Sequence, residues 1–544
     1  MTFDINKMLD PAIYDHPVSE VELIETHISW VLLTGEYAYK IKKPVDFGFL
    51  DFSTLDKRRQ CCEQELRLNG RLAASIYLDV VSITGSPGQP AISGKGETFE
   101  YAVKMRQFPQ SAQLDHKLEA GELAIEQMED IASMVADFHQ RIDAADEVLS
   151  YGSAESVSQP VEQNFAQIRE HLDTDEYEQP LKQLEQWSRD SFIALKSRFE
   201  QRKKEGCIRE CHGDMHLRNI VWLDEDFHQG PVAFDCIEFN DNLRWIDVIS
   251  EVAFLVMDLQ SRNLYSYARR FLNSYLEETG DYAGVMLLPY YLSYRAMVRA
   301  KVSVLRLQQA GVSAEEKRQM LDEFEQYLEL ASHYAKGKDS ALILMRGASA
   351  SGKSTVSRLL LDEVDAIRVR SDVERKRLYG APHVVDNDNE DRSQAQTRAQ
   401  TAAHATIQTA ANNAGINEGI YSAQASVATY GRLIECATSV LSAGYSAIID
   451  AAFLKSEQRL PFQQLAEQLG VGYVILEVTA PDEVLRQRIL ARKNDVSDAD
   501  LDVLNYQLEN WQPLSVEERK HAVQVNTAQA IDLSSIIEQL PQSG

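Results

Sequence analysis

Three groups of residues in this chain have the types and spacing of phosphate chemistry. Residues 347–354 are Gly347, Ala348, Ser349, Ala350, Ser351, Gly352, Lys353 and Ser354, a complete G-x-x-x-x-G-K-S/T loop, with Thr355 next. The glycines let the backbone turn tightly, so that successive N–H groups face phosphate oxygens. The following helix N-terminus adds its dipole and unpaired N–H groups. Lys353 then reaches the β- and γ-phosphates of a nucleotide, ATP or GTP, and Ser354 ligates Mg²⁺. Far upstream, the run Cys211–Ile220 reads C-H-G-D-M-H-L-R-N-I and puts four residues between Asp214 and Asn219. One turn of loop places such an aspartate at an acceptor hydroxyl and the asparagine on a metal ion. The apolar run Val232–Phe234 ends in Asp235, and a carboxylate at a strand end holds Mg²⁺ against nucleotide phosphates. His212 and His216 brace this loop by hydrogen bonds, because no third and fourth ligand is spaced for zinc.

The third group surrounds the phosphate loop. Ser446–Asp450 is an apolar run ending in a carboxylate, a Walker-B-like position for Mg²⁺ or its water shell. Ile367–Asp372 ends in a second carboxylate, followed by Arg375. Beside the γ-phosphate, Asp372 can take a proton from an attacking hydroxyl, although it also suits a helix N-cap. Arg488 and Arg492 lie four apart on one helical face, so their guanidinium groups can close over a transferring phosphoryl or remain surface charges.

These groups need elements to hold them. Downstream, strand patterns at 341–346, 366–371, 446–450, 472–478 and 522–526 alternate with helical patterns, the signature of a parallel sheet. A polar, glycine-containing stretch at 336–340 sets the expected boundary between domains 1–337 and 338–544. Residues 386–417 are rich in Ala, Gln, Thr and Asn, and read as an exposed helix or an insertion. Upstream, residues 21–52 read as strands with a turn at Thr34–Glu36, then a helix over Leu55–Leu72 and strands at Val80–Ile83 and Tyr101–Arg106. Beyond about residue 120 the pattern is mostly helical, with a strand-rich patch at 207–239. Arg295, Arg299 and Arg306 form a helical stripe that reads as a solvated face or, alternatively, as a surface for an anionic substrate.

Composition bounds the function. The chain has 544 residues, 44% hydrophobic and 25% charged, as in ordinary soluble globular proteins. A formal net charge of −28 disfavours nucleic acid and anionic membrane as partners. The six cysteines show neither zinc spacing nor a disulfide framework, so a reducing cytoplasm is expected. The N-terminus lacks the pattern of a signal peptide, and no run of 18 apolar residues exists to span a membrane.

The run from His212 to Asn219 resembles the H-G-D-x-H-x-x-N loop of aminoglycoside phosphotransferase-like kinases. That resemblance covers residues 20–335 and implies a bilobal protein-kinase-like fold, Asp214 as catalytic base, and Asn219 and Asp235 as metal ligands. It also implies a lysine of the first lobe paired with a helix glutamate. Lys40 is the best match for the lysine, with Lys42 as runner-up on the same strand face. Glu65 matches the glutamate, with Glu63 as alternative. The sequence departs from the pattern ahead of Lys40, where Gly35 stands in place of a glycine-rich loop. Residues 338–544, apart from 386–417, resemble small P-loop kinases of the gluconate kinase, polynucleotide kinase and zeta-toxin type, often grouped with AAA-family ATPases. The run Arg370–Leu378 and the pair Arg488 and Arg492 carry that second likeness.

The expected protein is therefore a two-domain α/β and α+β chain, a bilobal kinase-like domain followed by a P-loop fold with a parallel sheet flanked by helices. It would use ATP and Mg²⁺ to phosphorylate a hydroxyl of a small molecule. The alternatives are an ATP-binding or ATP-hydrolysing switch with no acceptor, and a 5′-hydroxyl kinase of nucleic acid.

Overall fold

The computed structural model describes residues 4–46, 50–172, 175–224, 229–308, 312–337, 340–379, 423–491 and 500–541. Arg492 and the polar segment 386–417 lie outside the described residues. The chain divides into two compact units: Met1–Phe271 with Tyr290–Ala335, and Leu272–Pro289 with Lys336–Gly544. The boundary expected near residue 337 thus differs at one place, because Leu272–Pro289 groups with the downstream unit.

In the first unit, β1 (Glu22–Glu25), β2 (Ser29–Leu33), β3 (Tyr37–Lys42), β4 (Tyr77–Ser86), β5 (Gln89–Ile92) and β6 (Thr98–Arg106) form an antiparallel sheet. Its order is β1-β2-β3-β6-β4-β5. Alternation along β3 decides what each face carries. Tyr39 and Ile41 enter an apolar cluster with Leu32, Val81, Ile83 and Ala102, which turns Lys40 and Lys42 to the opposite face. Helix α1 (Leu55–Asn69) begins at Thr54, whose hydroxyl accepts the Lys57 N–H at 3.3 Å. Its Cys62 is buried with Ile76, Val103 and Val221, and Glu65, one turn on, follows it inward.

A mostly helical portion continues this unit. Two short antiparallel pairs lie in it: β7 (Ile208–Glu210) with β10 (Trp245–Asp247), and β8 (Ile220–Leu223) with β9 (Gly230–Ala233). The loop between β7 and β8 carries Asp214 and Asn219, and Asp235 follows β9. Helix α2 (Val248–Ser261) is buried on every side, the pattern of a helix at the centre of a core. Helices α3 (Tyr265–Thr279) and α4 (Leu288–Leu307) follow. A sheet with one packed helix, then a helical portion carrying the two short antiparallel pairs, is the bilobal protein-kinase-like arrangement.

The second unit holds β11 (Ala341–Arg346), β12 (Ala366–Arg370), β13 (Ser446–Asp450), β14 (Gly472–Thr479) and β15 (Ala522–Asn526) in the order β12-β13-β11-β14-β15. Every pairing is parallel. β11 is buried at all its positions, as expected of a central parallel strand. Ile343 and Met345 pack with Val356, Leu360, Ile448, Leu476 and Val525, and burying each such side chain contributes about 1.5–3 kcal/mol. Helices α5 (Lys353–Glu363), α6 (Ser371–Tyr379), α7 (Ala423–Ser442) and α8 (Asp482–Ala491) accompany the sheet. This is a P-loop fold with the loop between β11 and α5.

β12 is an edge strand, and its outward backbone groups need partners. Helix α3 and the turn that follows it supply them. The Arg368 N–H donates to Asn273 Oδ1 at 2.7 Å, and Asn273 Nδ2 donates to the Ala366 carbonyl at 3.2 Å. The Tyr282 hydroxyl donates to the Arg368 carbonyl at 3.3 Å. Asn273 is buried, so losing its amide strands two backbone groups, at a cost of about 1–3 kcal/mol. Asn273→Leu is expected to lower the unfolding free energy by that amount, seen as a lower urea midpoint with an unchanged slope. An unchanged midpoint would show that the strand edge does not rely on it.

Candidate functional sites

The upstream site is built around one carboxylate. Glu65 is fully buried, and Lys40 Nζ lies 2.8 Å from its Oε1 while Lys42 Nζ lies 2.5 Å from its Oε2. Burial would raise the Glu65 pKa, but the two ammonium groups outweigh it and hold the pKa below the ordinary range. Lys40 also pairs with Asp235, and Lys42 with Glu238. Desolvation disfavours charge on Lys40, yet Asp235 and Glu65 keep its pKa well above the usual lysine value. Lys40 and Lys42 therefore share the glutamate rather than compete for it. Glu63 is elsewhere, in an exposed pair with Arg59.

Asp214 and Asn219 meet directly: Asn219 Nδ2 donates to the Asp214 carbonyl at 2.9 Å and to its Oδ2 at 3.0 Å. Desolvation opposes ionisation of Asp214, but the nearby His216 side chain and the Arg299 guanidinium outweigh it and hold its pKa below the carboxylate range. With the Asn219 amide nitrogen committed to Asp214, its Oδ1 is the atom that could ligate a metal ion. Asp235 has a positive φ of 63° and keeps 44% of its side chain open. Its N–H donates to the Tyr77 hydroxyl at 3.2 Å. A carboxylate and an amide oxygen are the hard donors that Mg²⁺ prefers.

The loop carrying Asp214 is held from beneath by residues that the motif does not include. Gly213 has φ +88°, and a Cβ there would lie 2.7 Å from the Leu243 carbonyl oxygen. Its N–H donates to Glu251 Oε1 at 2.6 Å, and Glu251 Oε2 lies 2.8 Å from His139 Nε2. Asp258 accepts the Leu217 N–H at 3.0 Å. Arg295 is buried and donates to the Ser250 carbonyl at 3.1 Å and the Gly213 carbonyl at 3.3 Å. It is neither a solvated residue nor open to a substrate, so Arg295 drops out of the arginine stripe read from the sequence, while Arg299 lies near Asp214. Arg306 is half-exposed near Glu323. Glu238, Glu251 and Asp258 were missed because a buried acid in an apolar helix or loop carries no motif.

The downstream site follows the phosphate loop. Ala350 and Gly352 take left-handed φ values of 62° and 94°, and a Cβ on Gly352 would crowd Thr527 at 3.0 Å. Lys353 Nζ donates to the Gly347 and Ala348 carbonyls, each at 2.9 Å. The Ser349 N–H donates to Gln507 at 2.6 Å. Ser351 Oγ is buried without a hydrogen-bond partner, and a Cβ on Gly347 would lie 2.5 Å from it. The Ser354 hydroxyl donates to Asp450 Oδ2 at 2.9 Å, so a hydroxyl and a carboxylate, again hard oxygen donors, stand together at the loop. Thr355 is exposed on the first turn of α5.

Around them, Arg488 donates to the Ala350 carbonyl at 3.1 Å and to Thr527 Oγ1 and O at 2.9 and 2.8 Å. Asp372 is the second residue of α6, with Arg375 3.8 Å away. Glu374 is fully buried between Arg377 and Arg432. No sequence signal distinguished Glu374 from Asp372, since burial separates them and spacing does not.

With this geometry in place, the similarities can be set beside it. The AAA domain family model matches residues 342–514. Uncharacterized protein Rv2004c of Mycobacterium tuberculosis (strain ATCC 25618 / H37Rv) is 29% identical over 497 residues, 90% of each chain. Uncharacterized protein Mb2027c of Mycobacterium bovis shows the same identity and coverage. Among solved structures, choline kinase from Cryptosporidium parvum Iowa II is 12% identical over 58% of this chain and 89% of its own, with a TM-score of 0.38. Amicoumacin kinase hAmiN, in complex with AMP-PNP, Ca²⁺ and Ami, is 12% identical over 57% and 88%, with a TM-score of 0.36. A gluconokinase from Sinorhizobium meliloti 1021 is 17% identical over 37% and 90%, with a TM-score of 0.25.

Two outcomes follow from the upstream geometry. Glu65→Ala leaves two lysines without their shared counter-charge and is expected to destabilise the unit by about 3–5 kcal/mol. Lys40→Met keeps Lys42 on Glu65, so it should retain the fold while losing nucleotide affinity. Equal unfolding midpoints for the two variants would refute the shared pair. The second concerns pH. His212 Nε2 donates to the Phe234 carbonyl at 2.9 Å and Nδ1 accepts the Asp214 N–H at 3.3 Å. The ring is therefore neutral, and its burial lowers its pKa. The unfolded chain protonates first, so stability is intact above about pH 6.5 and falls as the pH drops below it. His212→Asn is expected to flatten that fall between pH 7.5 and 5.5 in urea titrations, and an identical slope in both proteins would contradict the assignment.

Proposed function

We propose that the protein is an ATP-dependent phosphotransferase with two kinase-like modules, each moving a γ-phosphoryl to a hydroxyl of a small molecule. What carries this reading is that each unit gathers a lysine and oxygen donors suited to Mg²⁺: Lys40, Asn219 and Asp235 in one, Lys353, Ser354 and Asp450 in the other. The metal, when bound by these oxygens, would neutralise phosphate charge. In the upstream unit Lys40, oriented by Glu65, binds nucleotide phosphate, and Asp214 takes the proton of the acceptor hydroxyl. Downstream, the loop backbone from Gly347 to Thr355 and Lys353 grip the triphosphate. Asp372 is the base candidate there. Arg488 closes the site from the α8 side, and Arg492, four residues on in the sequence, is the candidate to act with it. The work is positioning and charge stabilisation more than covalent chemistry. The compartment that fits a chain with six free cysteines is the cytoplasm. Among the described residues no helix is long and apolar enough to cross a membrane.

Incubation with γ-labelled ATP and a metabolite extract is expected to yield labelled acceptors. Asp214→Ala should remove the upstream product by about 10²–10⁴-fold, and Lys353→Ala the downstream product by about 10²-fold or more. Release of labelled phosphate with no labelled acceptor would replace this reading with an ATP-hydrolysing switch. Label on an added single-stranded oligonucleotide with a free 5′-hydroxyl would replace it with a nucleic-acid kinase.

A further inference from the structure

A chain of polar contacts in the second unit runs from α3 to the phosphate loop. Glu277 pairs with two arginines of β12: its Oε1 lies 2.6 Å from Arg370 Nη1, and its Oε2 lies 3.1 Å from Arg368 Nη2. Arg368 Nη1 donates to Ser357 Oγ at 3.3 Å. Ser357 is fully buried on α5, one turn beyond Ser354. Its hydroxyl has one proton and two acceptors for it, the Ser354 carbonyl at 3.2 Å and Asp450 Oδ2 at 3.4 Å. That same Asp450 oxygen accepts from Ser354 Oγ at 2.9 Å. Arg370 is paired with Asp450 in the sheet register and raises the positive field beside it.

We infer that Glu277 and Ser357 are positioning residues for the divalent-cation site at Ser354 and Asp450, a reading that rests on the phosphotransferase function proposed for this unit. Glu277 fixes Arg368, Arg368 fixes the Ser357 hydroxyl, and Ser357 settles which way the Asp450 carboxylate turns. The partners of metal-ligating carboxylates orient them and tune their affinity, and their loss commonly costs 10–100-fold in metal binding. The order of the chain makes this unusual. Glu277 precedes the phosphate loop by 70 residues, on a helix that lies before the expected boundary of the domain it serves. A fragment cut at residue 338 would keep every motif of the site and lose the carboxylate at the start of the network.

The test uses the full chain carrying Asp235→Asn, so that nucleotide binding reports the downstream site. Binding of a fluorescent ATP analogue is titrated in EDTA and then against MgCl₂, for this protein and for Glu277→Gln, Glu277→Asp and Ser357→Ala added to it. The expected result is unchanged affinity in EDTA, with the Mg²⁺ concentration for half-maximal enhancement raised about tenfold in Glu277→Gln and in Ser357→Ala. Glu277→Asp should recover part of the loss. A purely structural role would instead weaken binding equally with and without metal. Half-maximal Mg²⁺ concentrations unchanged in both Glu277→Gln and Ser357→Ala, with melting curves matching the parent, would overturn the inference and leave the proposed function standing. Absence of any Mg²⁺ enhancement in the parent itself would overturn the function and this inference together. Ser357→Ala removes a single oxygen, so it keeps the test decisive where Glu277→Gln fails to fold.

Discussion

A carboxylate removed from water has to be met by cations or N–H groups, and that requirement organises both units. Leaving one unmet costs several kcal/mol, more than most single contacts return. Glu65 is met by Lys40 and Lys42, which ties β3 to α1. Glu251 is met by His139 and the Gly213 N–H, which ties α2 to the loop of Asp214. In the second unit Glu374 is met by Arg377 and Arg432, tying α6 to α7. In each case the acid is buried by the elements it joins, so its partners are fixed in place as the core forms.

This explains what the sequence disclosed and what it withheld. The central strands β11, β13 and β14 fall where apolar runs bounded by polar or glycine-containing stretches put them, because a central parallel strand is buried on both faces and reads as a continuous apolar word, whereas the edge strands β12 and β15 alternate apolar and polar residues. The phosphate loop and the run from His212 to Asn219 were legible for a different reason: backbone cradles and loop spacing demand particular residues at fixed separations. Lys42, Glu238, Glu251 and Glu277 were not legible as parts of a site. Their partners lie tens to hundreds of residues away, and an acid on a helix has the same letter whether it faces solvent or a buried lysine. The arginine stripe on α4 shows the converse. Arg295 has the spacing of a surface residue, yet it is buried against the Ser250 and Gly213 carbonyls.

The segment Leu272–Pro289 illustrates how topology overrules local punctuation. The polar stretch at 336–340 has the composition of a linker, and composition is what a boundary rule reads. Membership in a unit is decided by burial and hydrogen bonding. An edge strand with exposed N–H and C=O groups is a liability until something covers it, and Asn273 and Tyr282 cover β12. The segment belongs to the unit whose strand it completes.

On the proposed function, the two sites would receive an anionic nucleotide by opposite electrostatic routes, in a chain whose net charge of −28 repels it. The upstream site sets Lys40, Lys42 and Arg299 against Glu65, Glu238, Asp235 and Asp214, still an excess of negative charge. Such a site would attract a triphosphate only together with divalent cations, which the carboxylates that repel the bare nucleotide would hold. The downstream site sets Lys353, Arg368, Arg370, Arg375 and Arg488 against Asp450, Glu277 and Asp372, and adds the N–H groups of the phosphate loop at the head of α5. Its field already favours phosphate, so the carboxylates there act on direction more than on net charge. Glu277 between two arginines and Asp450 between two serine hydroxyls are each held by donors on more than one side. In a site that is already positive, orientation of the few acids is what remains for the fold to specify.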